Sequence, residues 1–146
     1  MNSLTDVDVI NKLVEASKAG VQVELIIRGI CCLLPGIEGL TENIHVRSIV
    51  GQFLEHSRIY IFGKKASRKY FIGSADMMTR NTECRVEILT PIKTPEIVKR
   101  LQHIVDVMMA DNTKARMMLP TGKYIAVAGD GPRVCAQDVF IQEANS

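Results

Sequence analysis

The sequence predicts an α/β fold in which a mixed β-sheet is flanked by helices. Three observations carry this prediction: helical periodicity in residues 3–20 and 94–111, short β-branched stretches between them, and Gly or Pro residues that separate the stretches. Helix, short turn and strand follow one another at the start of the chain, which is the order of an α/β layer. The 146 residues suffice for one domain with its own core, so we expect a single domain over residues 1–146.

The two long helices are indicated by their termini and by their apolar stripes. Residues 3–20 combine Ser3 or Thr5 as a cap with a stop at Gly20. Residues 94–111 combine a cap at Thr94 with a proline at the first helical position. The stripe that this second helix is expected to bury consists of Ile97, Leu101, Ile104, Val105 and Met108.

Strands are predicted in VQVELII, IHVRSIV, RIYIF, KYFI and CRVEILT, and further strand pieces, two Gly-rich turns and a short closing helix in the tail. RIYIF and KYFI are separated by GKKASR, which predicts a hairpin that turns at Gly63. An ordered loop is expected in residues 31–43, and SADMMTRN is typical of a turn or short helix.

Composition excludes several classes of protein. Hydrophobic residues make up 47% and charged residues 23% of the chain, which is ordinary for a soluble globular protein. The apolar runs are too short for a membrane span and no basic-apolar-small leader opens the sequence, so we expect a cytoplasmic protein. The four cysteines lack the spacing of a zinc site and are expected to be reduced, and no metal ligands are predicted.

Positive charge is concentrated between His56 and Arg85. This stretch holds seven Lys or Arg and two acidic residues, a balance of +5, whereas the other 11 basic and 14 acidic residues sum to −3. A positive zone on a mildly acidic body attracts anions. We assign Lys64, Lys65 and Arg68 to the solvated tip of the hairpin.

The residues of this zone that suit phosphate chemistry are His56 and Arg58, followed by Gly73, Ser74 and Asp76. An imidazole can attack phosphorus or protonate a leaving oxygen, while a cation and small polar donors hold the phosphate oxygens. The alternatives stay open: Arg58 suits a salt bridge equally well, Gly73-Ser74 suits a turn, and Asp76 suits a cap of the next turn.

Three arginines are further candidates for anion binding. Arg28 follows a predicted strand, where ligands of α/β sheets usually bind, and its planar guanidinium matches phosphate oxygens; a structural salt bridge is the alternative. Arg80 and Arg85 flank NTEC and suit a polyanion, with Asn81 as a neutral donor.

The pattern of a histidine, a cation two residues later and a distant Gly-Ser step is similar to the bipartite signature of the phospholipase D superfamily. The sequence departs from that signature at three points. Arg58 stands where lysine is usual, no acid follows in IYIFG, and Asp76 replaces asparagine.

Longer motifs carry a more specific resemblance. RGICCLLPG, FLEHSRIY and SADMMTRN follow one another in residues 2–92 as in the C-terminal region of bacterial polyphosphate kinases, and the resemblance continues more loosely to about residue 137. It implies a phospholipase D-like domain of an enzyme that reversibly transfers the terminal phosphate of ATP to polyphosphate through a phosphohistidine. The phosphorylated histidine is expected on a preceding domain, outside this sequence.

The resemblance also implies roles for residues of this chain. Arg28 and His56 match residues that contact ATP, and His56 is expected to face the phosphorylated histidine as an acid, a base or a phosphate contact. Arg58, Ser74, Arg80, Asn81 and Arg85 are the expected contacts to phosphate or polyphosphate. Mg²⁺ is expected to arrive with ATP or ADP and to have its protein ligands outside this chain. The preceding domains are expected partners, and homo-oligomer formation is left open.

Two other functions remain as alternatives. The chain suits a self-sufficient phosphodiesterase or nuclease of the phospholipase D type, which would act as a homodimer in which two copies of His56 meet. It also suits a non-catalytic anion-binding module that uses the hairpin as its docking surface.

Overall fold

The structure is a computed structural model that describes residues 1–127, 129 and 131–146, and only the backbone of Lys65. The helices within these residues are α1 (Val7–Lys18), α2 (Thr79–Glu83), α3 (Pro95–Ala110) and α4 (Ala136–Ala144). The strands are β1 (Val23–Ile26), β2 (Ile44–Ile49), β3 (Ile59–Phe62), β4 (Lys69–Gly73), β5 (Leu89–Ile92), β6 (Ala115–Met118) and β7 (Tyr124–Ala126). The second predicted Gly-rich turn includes Ala128 and Asp130, which lie outside the described residues.

The strands form two sheets. A four-stranded sheet has the order β1-β2-β6-β7, in which β1 and β2 are parallel and the other neighbours are antiparallel. A three-stranded antiparallel sheet has the order β3-β4-β5 and contains the predicted hairpin. The predicted α/β class with a mixed sheet and flanking helices is therefore confirmed. The division into two sheets was not predicted, because strand partners are chosen by contacts between distant parts of the chain.

The main core lies against the four-stranded sheet. β2 turns Ile44 and Val46 inward and His45 outward, because successive side chains of a strand point to opposite faces. α1 packs Val9, Ile10 and Leu13 against the same core. The remaining buried members of this core are Leu4, Leu25, Ile27, Leu33 and Met118.

The extended segment before α1 links distant parts of the chain. Leu4 forms isolated β-bridges with Cys31, in the loop after β1, and with Met77, just before α2. Its side chain is fully buried. Residues 2–5 therefore run between the loop that follows the larger sheet's first strand and the segment that follows the hairpin.

The cap of α1 differs from the prediction. Asp6 is the N-cap, and its carboxylate accepts the Val9 N–H at 2.9 Å. The predicted caps Ser3 and Thr5 are wrong because both residues lie in the extended segment, before the chain turns into the helix. The predicted stop is confirmed, since Gly20 adopts a φ of 81°, which favours glycine.

The last strand of the smaller sheet lies later than the sequence indicates. The alternating pattern of residues 84–90 predicts a strand, but β5 includes only the last two of these residues and continues to Ile92. The residues before it follow directly on α2 and serve as the return to the sheet. β5 accommodates Pro91 because it lies at the sheet edge, where a nitrogen without hydrogen can face away from the neighbouring strand.

α3 begins at Pro95 as predicted, although Thr94 makes no side-chain cap hydrogen bond to the described residues. Leu101 is buried in the predicted stripe. Ile97 is 47% exposed, so its predicted burial is wrong, because the covered face of the helix begins one turn later. The half-buried remainder of the stripe consists of Ile104, Val105 and Met108.

Asp111, directly after α3, joins three elements. Its side chain is buried, and Oδ1 accepts the N–H groups of Thr113, Lys114 and Ala115 at 3.0, 2.7 and 2.9 Å. Oδ2 accepts the N–H of Ala136, the first residue of α4, at 2.7 Å. Burial alone would raise the pKa of Asp111, but these hydrogen bonds outweigh it and the pKa lies below its ordinary value. One carboxylate therefore ties α3, β6 and α4 together.

We expect Asp111→Ala to lower the free energy of unfolding by about 3 kcal/mol, because several backbone N–H groups lose their charged acceptor. Urea titration at neutral pH measures the loss. Glu38→Ala removes an exposed carboxylate from the loop after β1 and is the control, with an expected change within about 0.5 kcal/mol. A loss for Asp111→Ala no larger than that of the control would contradict the role of Asp111.

The lowered pKa of Asp111 also predicts sensitivity to acid. A carboxylate whose native pKa lies below the unfolded value of about 3.9 stabilises the fold fully above that value. This contribution disappears as the pH falls through the lower native pKa. We expect the free energy of unfolding to decrease from about pH 5 towards pH 2, with a shallower slope in Asp111→Ala. Equal slopes in urea titrations across this range would count against the prediction.

Candidate functional site

Arg28 lies two residues after β1 and lines a small cavity. One terminal nitrogen of its guanidinium donates to Asn2 Oδ1 at 2.5 Å. Its Nε is buried and has no hydrogen-bond partner among the described residues. Because buried polar groups are nearly always paired, this N–H is a donor to which an acceptor from outside the chain can bind.

The cavity brings Arg28 next to the segment that contains His56. Its volume is about 30 Å³, and its polar lining comprises Arg28, Glu55 and Ser57. That volume holds a group the size of water, such as one phosphate oxygen, rather than a whole nucleotide. The apolar part of the lining consists of Met1, Ile26, Ile49 and Met108.

His56 is exposed and its ring is directed towards Arg58. Nε2 lies 2.6 Å from a terminal nitrogen of Arg58, and another nitrogen of that guanidinium donates to the His56 carbonyl oxygen at 3.0 Å. A guanidinium can only donate, so Nε2 accepts in this contact and Nδ1 bears the proton. Glu55 and Ser57 line the cavity of Arg28, whereas His56 is not among its described lining residues. The convergence of Arg28 and His56 on one oxyanion therefore stays a prediction.

Arg58 is built into the fold through Asp76. Its nitrogens lie 3.0 Å from Asp76 Oδ2 and 3.3 Å from Oδ1, and the two side chains are 13% and 4% exposed. With the two contacts to His56, four of the five guanidinium N–H groups have partners. Arg58 therefore forms the salt bridge that was the alternative to phosphate binding, with Asp76 as its partner. One N–H of its guanidinium is left for a ligand.

Asp76 has a different role from the one expected. It does not cap the next turn: the N-cap of α2 is Met78, with no side-chain cap bond among the described residues. Asp76 instead accepts the N–H groups of Asn2 and Ser3 at 2.7 and 3.3 Å, besides its pair with Arg58. Burial would raise the pKa of Asp76, but Arg58 and these N–H groups outweigh it, and the pKa is lowered.

Ser74 and Asn81 both bind a carboxylate that the sequence did not indicate. The Ser74 hydroxyl donates to Glu87 and accepts the Ile88 N–H at 3.1 Å, while Asn81 Nδ2 donates to Glu87 Oε1 at 2.6 Å. These two bonds lower the pKa of Glu87. Asn81 is buried, and its Oδ1 has no partner among the described residues. The predicted contacts of Ser74 and Asn81 to phosphate stay predictions. Each side chain must release Glu87 before it can bind a phosphate oxygen.

Arg80 and Arg85 are exposed, the first on α2 and the second just beyond it. Arg85 is close enough to Glu87 to contribute to that residue's low pKa, after the bonds from Ser74 and Asn81. Arg85 therefore adds positive charge beside the Ser74 and Glu87 cluster. At the hairpin tip, Arg68 donates to Gln102 of α3 at 2.8 Å, so this residue serves the packing of the hairpin.

The described residues include no candidate metal cluster, no disulfide and no membrane-spanning helix. No group of three or more His, Cys, Asp or Glu residues there is placed to hold a metal ion. The cysteines at 31, 32, 84 and 135 are unbridged. No described helix has the length and apolar character needed to cross a membrane.

Comparisons with known proteins place this site in a family context. The family model described as Polyphosphate kinase C-terminal domain 2 matches residues 1–137. The chain is similar to a polyphosphate kinase of Lactiplantibacillus plantarum, with 51% identity over 99% of this chain and 20% of the relative. It is also similar to polyphosphate kinase 1 of Chlorobaculum tepidum, with 46% identity over 97% of this chain and 20% of the relative.

A solved structure, that of polyphosphate kinase from Porphyromonas gingivalis, matches the fold with a TM-score of 0.93 and 37% identity. The match covers 99% of this chain and 22% of that one. The chain thus spans about a fifth of the length of the relatives it matches. The resemblance identified in the sequence and the expected phospholipase D-like fold class are confirmed.

We expect Arg58→Met to lower the free energy of unfolding at pH 7 by about 3 kcal/mol, because the buried Asp76 carboxylate loses its counter-ion. The loss should shrink as the pH falls, since without Arg58 the pKa of Asp76 rises and protonation removes the unpaired charge. Urea titrations at several pH values measure both effects. Arg80→Met, at an exposed arginine, is the matched control; a pH-independent loss for Arg58→Met would contradict the pairing argument.

Proposed function

This chain belongs to the polyphosphate kinase C-terminal domain 2 family, and we propose that it is the nucleotide- and polyphosphate-binding domain of a longer enzyme. That enzyme reversibly transfers the terminal phosphate of ATP to polyphosphate through a phosphohistidine. In the proposal, residues 1–146 form a single C-terminal phospholipase D-like domain, and the phosphorylated histidine lies on a preceding domain. The proposal also places the enzyme in the cytoplasm and leaves its oligomeric state open.

The observation that carries the proposal is the buried Nε–H of Arg28, which has no partner among the described residues and belongs to a side chain that lines the cavity. A phosphate oxygen is a fitting acceptor, because a charge-assisted hydrogen bond from a guanidinium is stronger than a neutral one. The cavity admits one such oxygen, so the rest of a triphosphate lies at the mouth. Arg28 is already held by Asn2 and needs little reorganisation to bind it.

In the transfer, the bond between the terminal phosphorus of ATP and its bridging oxygen breaks as a bond to the histidine nitrogen forms, and ADP leaves. The terminal oxygen of polyphosphate then takes the phosphoryl group from that nitrogen. We assign His56 the role of a phosphate contact or proton carrier facing this histidine. Its Nε2 must leave Arg58 before it accepts a proton, so ligand binding is expected to change this contact.

Mg²⁺ enters the proposal only with the nucleotide. Within the described part of the chain no group of three or more His, Cys, Asp or Glu residues is placed to hold a metal ion. We therefore assign no step on this chain to the metal. In the longer enzyme, Mg²⁺ would reach the site bound to the phosphates of ATP or ADP.

The polyphosphate chain is assigned to the exposed face around Arg80 and Arg85. Both guanidinium groups are exposed, which suits a ligand with one negative charge on almost every phosphate. Ser74 and Asn81 join this surface in the proposal only when they exchange Glu87 for phosphate oxygens. Arg58 contributes the single N–H that remains beyond its four contacts.

The self-sufficient phosphodiesterase is the weaker candidate. Two of the three departures from the phospholipase D signature, Arg58 and Asp76, are paired with each other in the structure. The cation at that position therefore stabilises the fold and offers little to a substrate. Release of nitrophenol from bis(p-nitrophenyl) phosphate by the purified chain, abolished in His56→Ala, would reverse this ranking.

We expect the chain to bind ATP and tripolyphosphate, and Arg28→Ala to weaken both affinities about ten-fold, the loss of one charge-assisted hydrogen bond. His56→Ala should weaken ATP binding less. Titration calorimetry measures the affinities. Arg116→Ala, at an exposed arginine of β6, is the matched control and should leave both unchanged. Equal losses in Arg28→Ala and Arg116→Ala would reduce the site to nonspecific attraction.

The same proposal predicts no phosphate transfer by the chain alone. Incubation with radiolabelled ATP and polyphosphate, followed by separation of the products, measures the transfer. Turnover that requires His56 would contradict the assignment of the phosphorylated histidine to another domain.

A further inference from the structure

Gln137, in the first turn of α4, is hydrogen-bonded to the segment that contains His56. Its Oε1 accepts the Phe53 N–H at 3.0 Å, and its Nε2 donates to the Phe53 carbonyl oxygen at 2.8 Å. Nε2 also donates to Glu55 Oε1 at 2.8 Å. One buried amide therefore makes three hydrogen bonds to a segment 82 to 84 residues away in sequence.

The other contacts that hold this segment lie at its end, where Arg58 binds the ring and the carbonyl oxygen of His56. Residues 50–58 lie outside helix and strand, and Phe53 and Leu54 are 52% and 72% exposed. Burial of these apolar side chains therefore contributes little to holding the segment. The backbone of Phe53 is held instead by the paired hydrogen bonds of the Gln137 amide, which resemble those between neighbouring strands.

Gly51 makes room for this contact. A Cβ at position 51 would lie 2.3 Å from Gln137 Oε1 and 2.5 Å from its Cδ. The φ of Gly51 lies outside the left-handed region, so the glycine is required for space rather than for backbone conformation. The sequence thus provides both the amide and the gap into which it fits.

α4 is itself held at both ends. At its start, Asp111 Oδ2 accepts the N–H of Ala136, the residue before Gln137. Near its end, Glu143 contacts Arg100 and His103 of α3 at 2.5 and 2.6 Å. The helix therefore presents Gln137 from a fixed position.

We propose that Gln137 is a positioning residue that places His56 and keeps the Glu55 carboxylate from pairing with Arg28. Glu55 and Arg28 line the same cavity, yet Arg28 Nε has no partner among the described residues, while Glu55 is bound by Gln137. Without the amide, Glu55 is released to neutralise the guanidinium that an oxyanion would occupy. The role of Glu55 at Arg28 rests on the proposed function, whereas the placement of His56 by Gln137 does not.

The placement is tested in the ligand-free chain by NMR. Gln137→Ala should speed amide exchange of Phe53 about ten-fold and shift the ring signals of His56, while the amides of β2 keep their protection. Gln142→Ala, an exposed glutamine on the same helix, is the matched control and should change neither. Unchanged Phe53 exchange and His56 signals in Gln137→Ala would overturn the inference, as would equal loss of protection in β2.

Gly51→Ala provides a second route if Gln137→Ala fails to fold. In the wild-type background the new methyl group displaces the amide and should produce the same local changes at Phe53 and His56. In Gln137→Ala, where the space is vacant, Gly51→Ala should add little. Gln137→Glu keeps the size and the acceptor for Phe53 N–H but loses the donor, so it should alter His56 while Phe53 stays partly protected. Effects of Gly51→Ala that are the same with and without Gln137 would contradict the contact.

The effect on Arg28 is tested with pyrophosphate as the probe. Gln137→Ala should weaken pyrophosphate binding several-fold, and adding Glu55→Gln should restore it by removing the competing charge. Failure of restoration would overturn the role assigned to Glu55. A wild-type chain that binds no pyrophosphate would refute the proposed function and this second role together, while the NMR result would still decide the placement of His56.

Discussion

The site depends on one buried carboxylate. Asp76 pairs with Arg58 and accepts the N–H groups of Asn2 and Ser3. Asn2 in turn receives a hydrogen bond from Arg28. Arg28, which follows β1 of the larger sheet, and Arg58, which precedes β3 of the smaller sheet, are therefore connected through Asn2 and Asp76. Because a buried charge without partners is very costly, these contacts stabilise Asp76 in its buried position, and they fix Arg58 beside His56.

Acidic side chains lie throughout a region that we assign to a polyanion. Glu55 faces the cavity of Arg28, Asp76 neutralises Arg58, and Glu87 binds Ser74 and Asn81. Each carboxylate holds its partners in place before any ligand arrives. Net attraction for phosphate is weaker for this reason than the count of basic residues in the sequence indicates. An anion that binds here must compete with groups already present, which favours modest affinity and reversible release.

The sequence predicted the elements whose signals are local. α3 has a proline at its first position and a stripe of apolar residues, and the hairpin has two strands around a glycine turn, so both were recognised without knowledge of the rest. The shift of β5 was not predictable, because alternation continues through residues 84–90 although α2 delays the return of the chain. The family resemblance, rather than any local pattern, predicts Arg28 and His56 as site residues.

Residues whose contacts are distant in sequence show no recognisable pattern in the sequence. Gln137, Glu87 and the pairing of Asp76 with Arg58 depend on which strands and helices become neighbours, and that choice is made by the whole core rather than by adjacent residues. Glu87 lies in an alternating segment that resembles an ordinary strand. Gln137 lies in a short closing helix, and the sequence does not show which face of that helix packs against the rest of the chain. The contact between Gln137 and Gly51 can be recognised only in the folded chain, where these two distant residues become neighbours.

Pro91 has an effect beyond the shape of the smaller sheet. It lies on an outer strand, next to the exposed apolar side chain of Leu89. Open strand edges recruit extended segments of other molecules, which leads to aggregation, and a ring nitrogen without hydrogen interrupts the ladder of donors that such recruitment needs. Pro91 therefore limits the pairing of β5 with extended segments of other molecules, although the exposed surface there is apolar.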